Sequence, residues 1–215
     1  MQHKVVVSSL VVAIVTALLI VGACGCTPKP AEVTDVVELP ELPELPDEAQ
    51  PAETTFEWTE APTIESIPEG TIAGMINGQP FEAKTVRVQK RNKGPQLNIS
   101  DGVPDTPTGS MSKDIGIDLR FPLEEGAAGE FTTSFEDKKD FDTAHAFFWY
   151  PKSDGKGSMS VNPKWGAAME VTEWTLEKDP DNEDIIGNVK GRVVITFGDD
   201  EKSWVAGSFD TIYFE

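Results

Sequence analysis

Oxygen donors crowd one short stretch of this 215-residue chain, where Asp179, Asp181, Glu183 and Asp184 stand within six residues beside Pro180 and Asn182. Hard cations such as calcium take ligands of this kind. The spacing partly mimics the start of a D-x-D-x-D loop, but Asp184 stands where the sharp turn wants glycine and Lys190 where a twelfth-position glutamate belongs. An acidic surface hairpin is the simpler reading, and calcium is the one cofactor expectation the sequence raises. Elsewhere the chemistry thins out. His145 is the only histidine after His3, no G-x-S-x-G elbow accompanies it, and a hydrolytic triad needs a nucleophile and an orienting acid beside the imidazole. The two cysteines, Cys24 and Cys26, both precede the stretch that could fold, which leaves that stretch no disulfide, thiol nucleophile or zinc-cysteine site. Paired carboxylates acting on glycans stay open as an alternative, because 25 acidic residues after Glu69 form pairs in space that a sequence does not display.

The aromatic run Phe147-Phe148-Trp149-Tyr150 offers a different kind of site. On a strand these four side chains alternate faces, so one pair faces away from any core that holds the other. A pair of rings left on the surface is the expected binding patch, suited to sugar rings or to a protein partner.

Positioning starts at the N-terminus. Lys4 is followed by an uncharged run from Val5 to Ala23, the layout of a secretory signal, and its apolar part falls short of the roughly 20 residues that span a bilayer. Val21-Gly22-Ala23-Cys24 resembles the lipobox of bacterial lipoproteins. That resemblance implies cleavage before Cys24, lipidation of its sulfur with acylation of its amino group, and a membrane held through two or three acyl chains. Gly25, rather than aspartate, follows the cysteine, so in a Gram-negative host the signal is similar to those that sort to the outer membrane. Residues 1–23 are read as signal peptide.

Residues 24–69 are read as an acidic, Pro-rich linker. Between Thr27 and Glu69 there are twelve acidic residues against one basic, and eight of the chain's 16 prolines. The repeat Glu38-Leu39-Pro40-Glu41-Leu42-Pro43-Glu44-Leu45-Pro46 fixes φ at each proline and repels itself, giving an extended, disordered stalk. Phe56, Trp58, Ile64 and Ile67 are apolar exceptions near its end, placed to dock back onto the module as an added edge segment.

From Gly70 to Glu215 the hydrophobic period is two. Ile115, Ile117, Leu119 and Phe121 alternate with Asp114, Gly116, Asp118 and Arg120, and the pattern recurs at Phe131–Phe135, Val189–Phe197 and Val205–Tyr213. Asn77-Gly78 is the strongest two-residue hairpin signal, and Gly198-Asp199-Asp200-Glu201 joins the last two strands. About nine short strands without an amphipathic helix predict an all-β domain over 70–215, an antiparallel β-sandwich or small barrel. Gly74-Met75-Ile76-Asn77-Gly78 with Phe81-Glu82-Ala83, and Val205-Ala206-Gly207-Ser208-Phe209 after a Gly187–Gly191 strand, resemble the two ends of an all-β module found in many uncharacterised bacterial lipoproteins. The resemblance implies a compact β-sandwich or barrel and carries no assigned catalytic residues.

A net charge of −19 argues against nucleic acid as a partner, since phosphate recognition needs a basic stripe and Lys90-Arg91-Lys93 is the only basic cluster, read as a solvated hairpin end. The functional expectation is a lipid-anchored envelope protein carrying a non-catalytic binding or structural module, with an envelope protein or a glycan as partner.

Overall fold

The computed structural model describes residues 56–111 and 114–215. Cys24, the signal-like run and the Glu-Leu-Pro repeat lie outside the described residues. The period-two segments form strands β1 (Ala73–Ile76), β2 (Gln79–Glu82), β3 (Thr85–Gln89), β4 (Gln96–Ser100), β5 (Gly116–Arg120) and β6 (Gly129–Thr133). They continue as β7 (His145–Pro151), β8 (Ser158–Val161), β9 (Trp165–Thr175), β10 (Ile185–Phe197) and β11 (Trp204–Phe214). The only helical piece among the described residues is a single 3-10 turn, Ile64–Ser66, closed by reciprocal Thr63 and Ser66 bonds.

Nine strands follow one path, β6-β9-β10-β11-β3-β4-β5-β7-β8, which curls into an open half-barrel. The β1–β2 hairpin is appended to β11. Its two-residue turn is Asn77-Gly78, with φ of 51° and 71°, the doubly left-handed conformation a type I′ turn demands. Gly198–Glu201 lies in the bend between β10 and β11, which then pair along nearly their whole lengths.

One pair departs from the expected antiparallel pattern. β1 occupies the first part of β11's free edge, at Trp204–Ala206, and β2 turns back from it. The chain then runs through Ala83 and Lys84 into β3 without reversing, so β3 lies parallel to the end of β11, at Tyr213 and Phe214.

Curling brings distant strands together across the inside. Phe148 of β7 meets Phe197 of β10 edge-on at 5.1 Å, although four strands separate them in the sheet. Trp174 likewise joins Tyr213 at 5.1 Å and Phe121 at 6.2 Å. Leu97, Ile99, Ile117, Leu119, Met169, Val193 and Val205 complete this inner core.

The outer face carries a second, smaller core. Ile64 and Ile67 pack on Ala168, Val194 and Ala206 of β9, β10 and β11, with Phe56 against Trp204 at 4.9 Å. Trp58 meets Phe135 edge-on, and Phe135 N donates to Glu60 O at 3.0 Å. The apolar exceptions of the acidic tract therefore do dock, but as a strap across a face rather than as an edge strand. Residues 56–69 belong to the folded body. The small residues beneath make room for them: a Cβ on Gly166 would lie 2.8 Å from Glu60 O.

Candidate functional site

On the outer face of β3, β4, β5 and β7 the alternation places polar side chains instead. Register sets Arg87 opposite Asn98, Asn98 opposite Asp118, and Asp118 opposite Phe147. Residues 101–111 fold back over part of this face. Arg87 fixes them there, donating to Pro107 O at 2.8 Å and Gly109 O at 2.6 Å while its guanidinium lies 4.9 Å from the Phe214 ring centre. As a result β4 is buried on both sides, Gln96, Asn98 and Ser100 included.

Between this segment and β7–β8 a cleft of about 460 Å³ remains. Its lining includes Arg87, Arg91, Gln96, Asn98, Asp118, Phe147, Trp149, Ser158 and Ser160. Asp118 is the only carboxylate among the lining residues. Burial drives its carboxyl up to about 6, against the opposing pull of the Asn98 and Gln96 amides and the Arg91 and Arg87 charges. The sequence pattern assigned Asp118 to a watery strand face; the fold desolvates it because the 101–111 segment and the β4 amides close in.

Trp149 is 8% exposed, and its indole lies on Gly116 so closely that a Cβ there would come within 2.1 Å of the ring. Glycine at 116 is thus what seats the ring at the cleft. Trp149 Nε1 and Arg87 Nε are buried without hydrogen-bond partners among the described residues. Such donors cost stability, which an acceptor oxygen brought beside them would offset. Outward from the cleft, rings continue along β7's outer face: Phe147 lies 6.0 Å from Trp149, His145 5.6 Å from Phe147, and Phe141 4.1 Å from His145.

The four aromatics singled out in sequence divide by parity. Phe147 and Trp149 line the cleft, whereas Phe148 is in the inner core and Tyr150 packs against it. His145 has an amide as its polar neighbour, Asn162 Oδ1 at 3.2 Å from Nε2, and burial lowers its pKa. The acidic loop does not converge. Asp179 Oδ1 accepts from the backbone of Asp181 at 2.7 Å and Asn182 at 3.1 Å, and Asn182 Oδ1 accepts from Asp184 N at 3.2 Å. Among the described residues no group of three or more His, Cys, Asp or Glu side chains is arranged to hold a metal. Arg91 is exposed at the β3–β4 hairpin end, as read, and also lines the cleft.

Asp118, Gln96 and Asn98 were missed because nothing local marks them; each occupies an ordinary alternating position. A larger groove of about 570 Å³ lies between β3 and β11, but its Asp210 is exposed and paired with Lys190 at 3.4 Å, and it holds no desolvated carboxylate. No protein-family model, curated protein or solved structure matches this chain.

Proposed function

We propose that this chain is an envelope lipoprotein, anchored through acyl chains on Cys24, whose β module binds a ligand in the Asp118 cleft without transforming it. The acidic tract spaces the module from the bilayer, and Gly25 directs it to the outer membrane where the host is Gram-negative. One observation carries the binding assignment: a single desolvated carboxylate, held by two buried amides, sits at the foot of a cleft walled by aromatic rings. Sites that recognise small molecules combine a few convergent polar groups with apolar walls in this way. Hydrolysis by paired carboxylates needs a second acid about 5 to 10 Å from the first, and no other residue lining this cleft is acidic.

The test has two parts. Cells expressing the full chain and fed labelled palmitate should label it, and Cys24→Ala should abolish the label. The solubilised chain incubated with neutral glycans should release no reducing ends. Label that persists in Cys24→Ala overturns the anchor, and glycan cleavage lost in Asp118→Asn overturns the non-catalytic assignment.

A further inference from the structure

Building on that reading of the cleft, we infer that its ligand is an uncharged oligosaccharide, laid along β7 from Phe141 to Trp149 with one sugar ring's hydroxyls against Asp118, Asn98 and Gln96. Three features of the surface lead there. The first is the row of rings. Phe141, His145, Phe147 and Trp149 follow one another on a single face, and alternate residues on a strand repeat about every 6.8 Å. Phe141 is 64% exposed yet held: Arg120 donates to its carbonyl at 3.3 Å and to that of Asp142 at 3.4 Å, while its ring leans on His145. A fixed, exposed apolar ring continuing a track that ends in a polar cleft suits a chain-like ligand whose units each have a flat C–H face and a polar rim.

The second feature is the supply of donors and acceptors. Gln89, Gln96 and Asn98 present planar amides, Ser158 and Ser160 hydroxyls, and Asp118 a carboxylate. Sugar hydroxyls donate and accept at once, so they can use every one of these groups. An extended peptide is poorly served here. It gains affinity by adding to an open sheet edge; β4, β5 and β7 are each paired on both sides, and the open edge beside the cleft, that of β8, is on the side away from β7 and its rings.

The third is charge. The terminal nitrogens of Arg87 are taken by the Pro107 and Gly109 carbonyls, but its charge remains, so Arg87 and Arg91 together set two positive charges against Asp118 and the lining, at a formal +1, repels cations. A chain of net charge −19 repels polyanions as a whole. A neutral ligand meets neither penalty.

The experiment titrates the detergent-solubilised full chain with cellohexaose, maltohexaose and chitohexaose by calorimetry and by saturation-transfer NMR. At least one hexaose is expected to bind, tenfold or more weaker in Trp149→Ala and in Asp118→Asn, and about threefold weaker in Phe141→Ala, an exposed substitution that leaves the fold in place. Lys202→Ala, beneath the strap at Trp58, should bind as the parent does. Absence of binding by all three hexaoses, or binding unchanged in both Asp118→Asn and Phe141→Ala, overturns the inference. These results are separable from failure of the cleft assignment. Saturation transfer from cleft residues to a charged small molecule, with none to the hexaoses, overturns the ligand class and leaves the site standing, whereas hexaose cleavage overturns the non-catalytic reading itself.

Discussion

On the outer face of β9, β10 and β11 the sheet presents Ala168, Val194 and Ala206, and the chain's own residues 56–69 lie across them. On the same face of β3, β4, β5 and β7 it presents Arg87, Asn98, Asp118 and Phe147, and residues 101–111 cover only part, leaving a cleft. Both patches stand back to back with the same inner core, so the difference comes from side-chain size and polarity alone. Small apolar residues let a strap approach closely and exclude water. Long polar residues instead tether the covering segment through Arg87 and leave a cleft beside it with one desolvated carboxylate at its foot. The module therefore closes one patch with its own chain and leaves the other partly open, as the proposed ligand site.

The strongest way to break this contrast is to remove the strap. A chain beginning at Gly70 loses the burial of Ile64 and Ile67, each worth about 1.5–3 kcal/mol. It is expected to be about 3–6 kcal/mol less stable to urea than one beginning at Phe56 and to bind a hydrophobic dye. Limited proteolysis of the full chain should correspondingly leave a fragment starting near Phe56. Equal stability of the two chains would show that the strap only rests on the surface.

Next in size is Gly116→Val, which disturbs only the cleft. The added Cβ displaces the Trp149 indole, for an expected loss of about 1–3 kcal/mol and of hexaose binding, while Trp204 fluorescence at the strap stays as it was. Retained binding in that variant would separate Trp149 from the site.

Asp118→Asn should move stability the other way. With its carboxyl raised to about 6, the folded state holds a proton that the unfolded chain, near 3.8, has released. Stability therefore falls as pH rises from about 4 to 6 and is level above that window. The asparagine variant is expected to lack that fall and to gain about 1–2 kcal/mol at pH 7, less than the full two-unit shift because it receives the Asn98 and Gln96 amides less well. Urea midpoints at pH 4, 5, 6 and 7 check both the sign and the window. The smallest effect belongs to Lys202→Ala, which removes a cation from over Trp58 at the strap and should cost about 0.5–1 kcal/mol with no change at the cleft.

Local pattern decided much of this architecture. Ile115 through Phe121, Val189 through Phe197 and Val205 through Tyr213 alternate because each strand has one face in the core, and alternation is visible in a window of a few residues. Asn77-Gly78 specified its turn because only residues tolerant of positive φ at two consecutive positions make it. The same reasoning separated Phe148 from Phe147 and Trp149. What the sequence left undetermined is every property that depends on what comes to lie over a strand's second face. Asp118 reads like any other acid in the module, and its desolvation arises from amides 20 and 22 residues earlier and from a segment that Arg87 folds back. Ile64 and Ile67 were legible as apolar, but not the face they cover, since Ala168, Val194 and Ala206 lie more than 100 residues away in the chain. Periodicity reports which residues share a face; only the tertiary structure decides whether that face meets water, its own chain or a ligand.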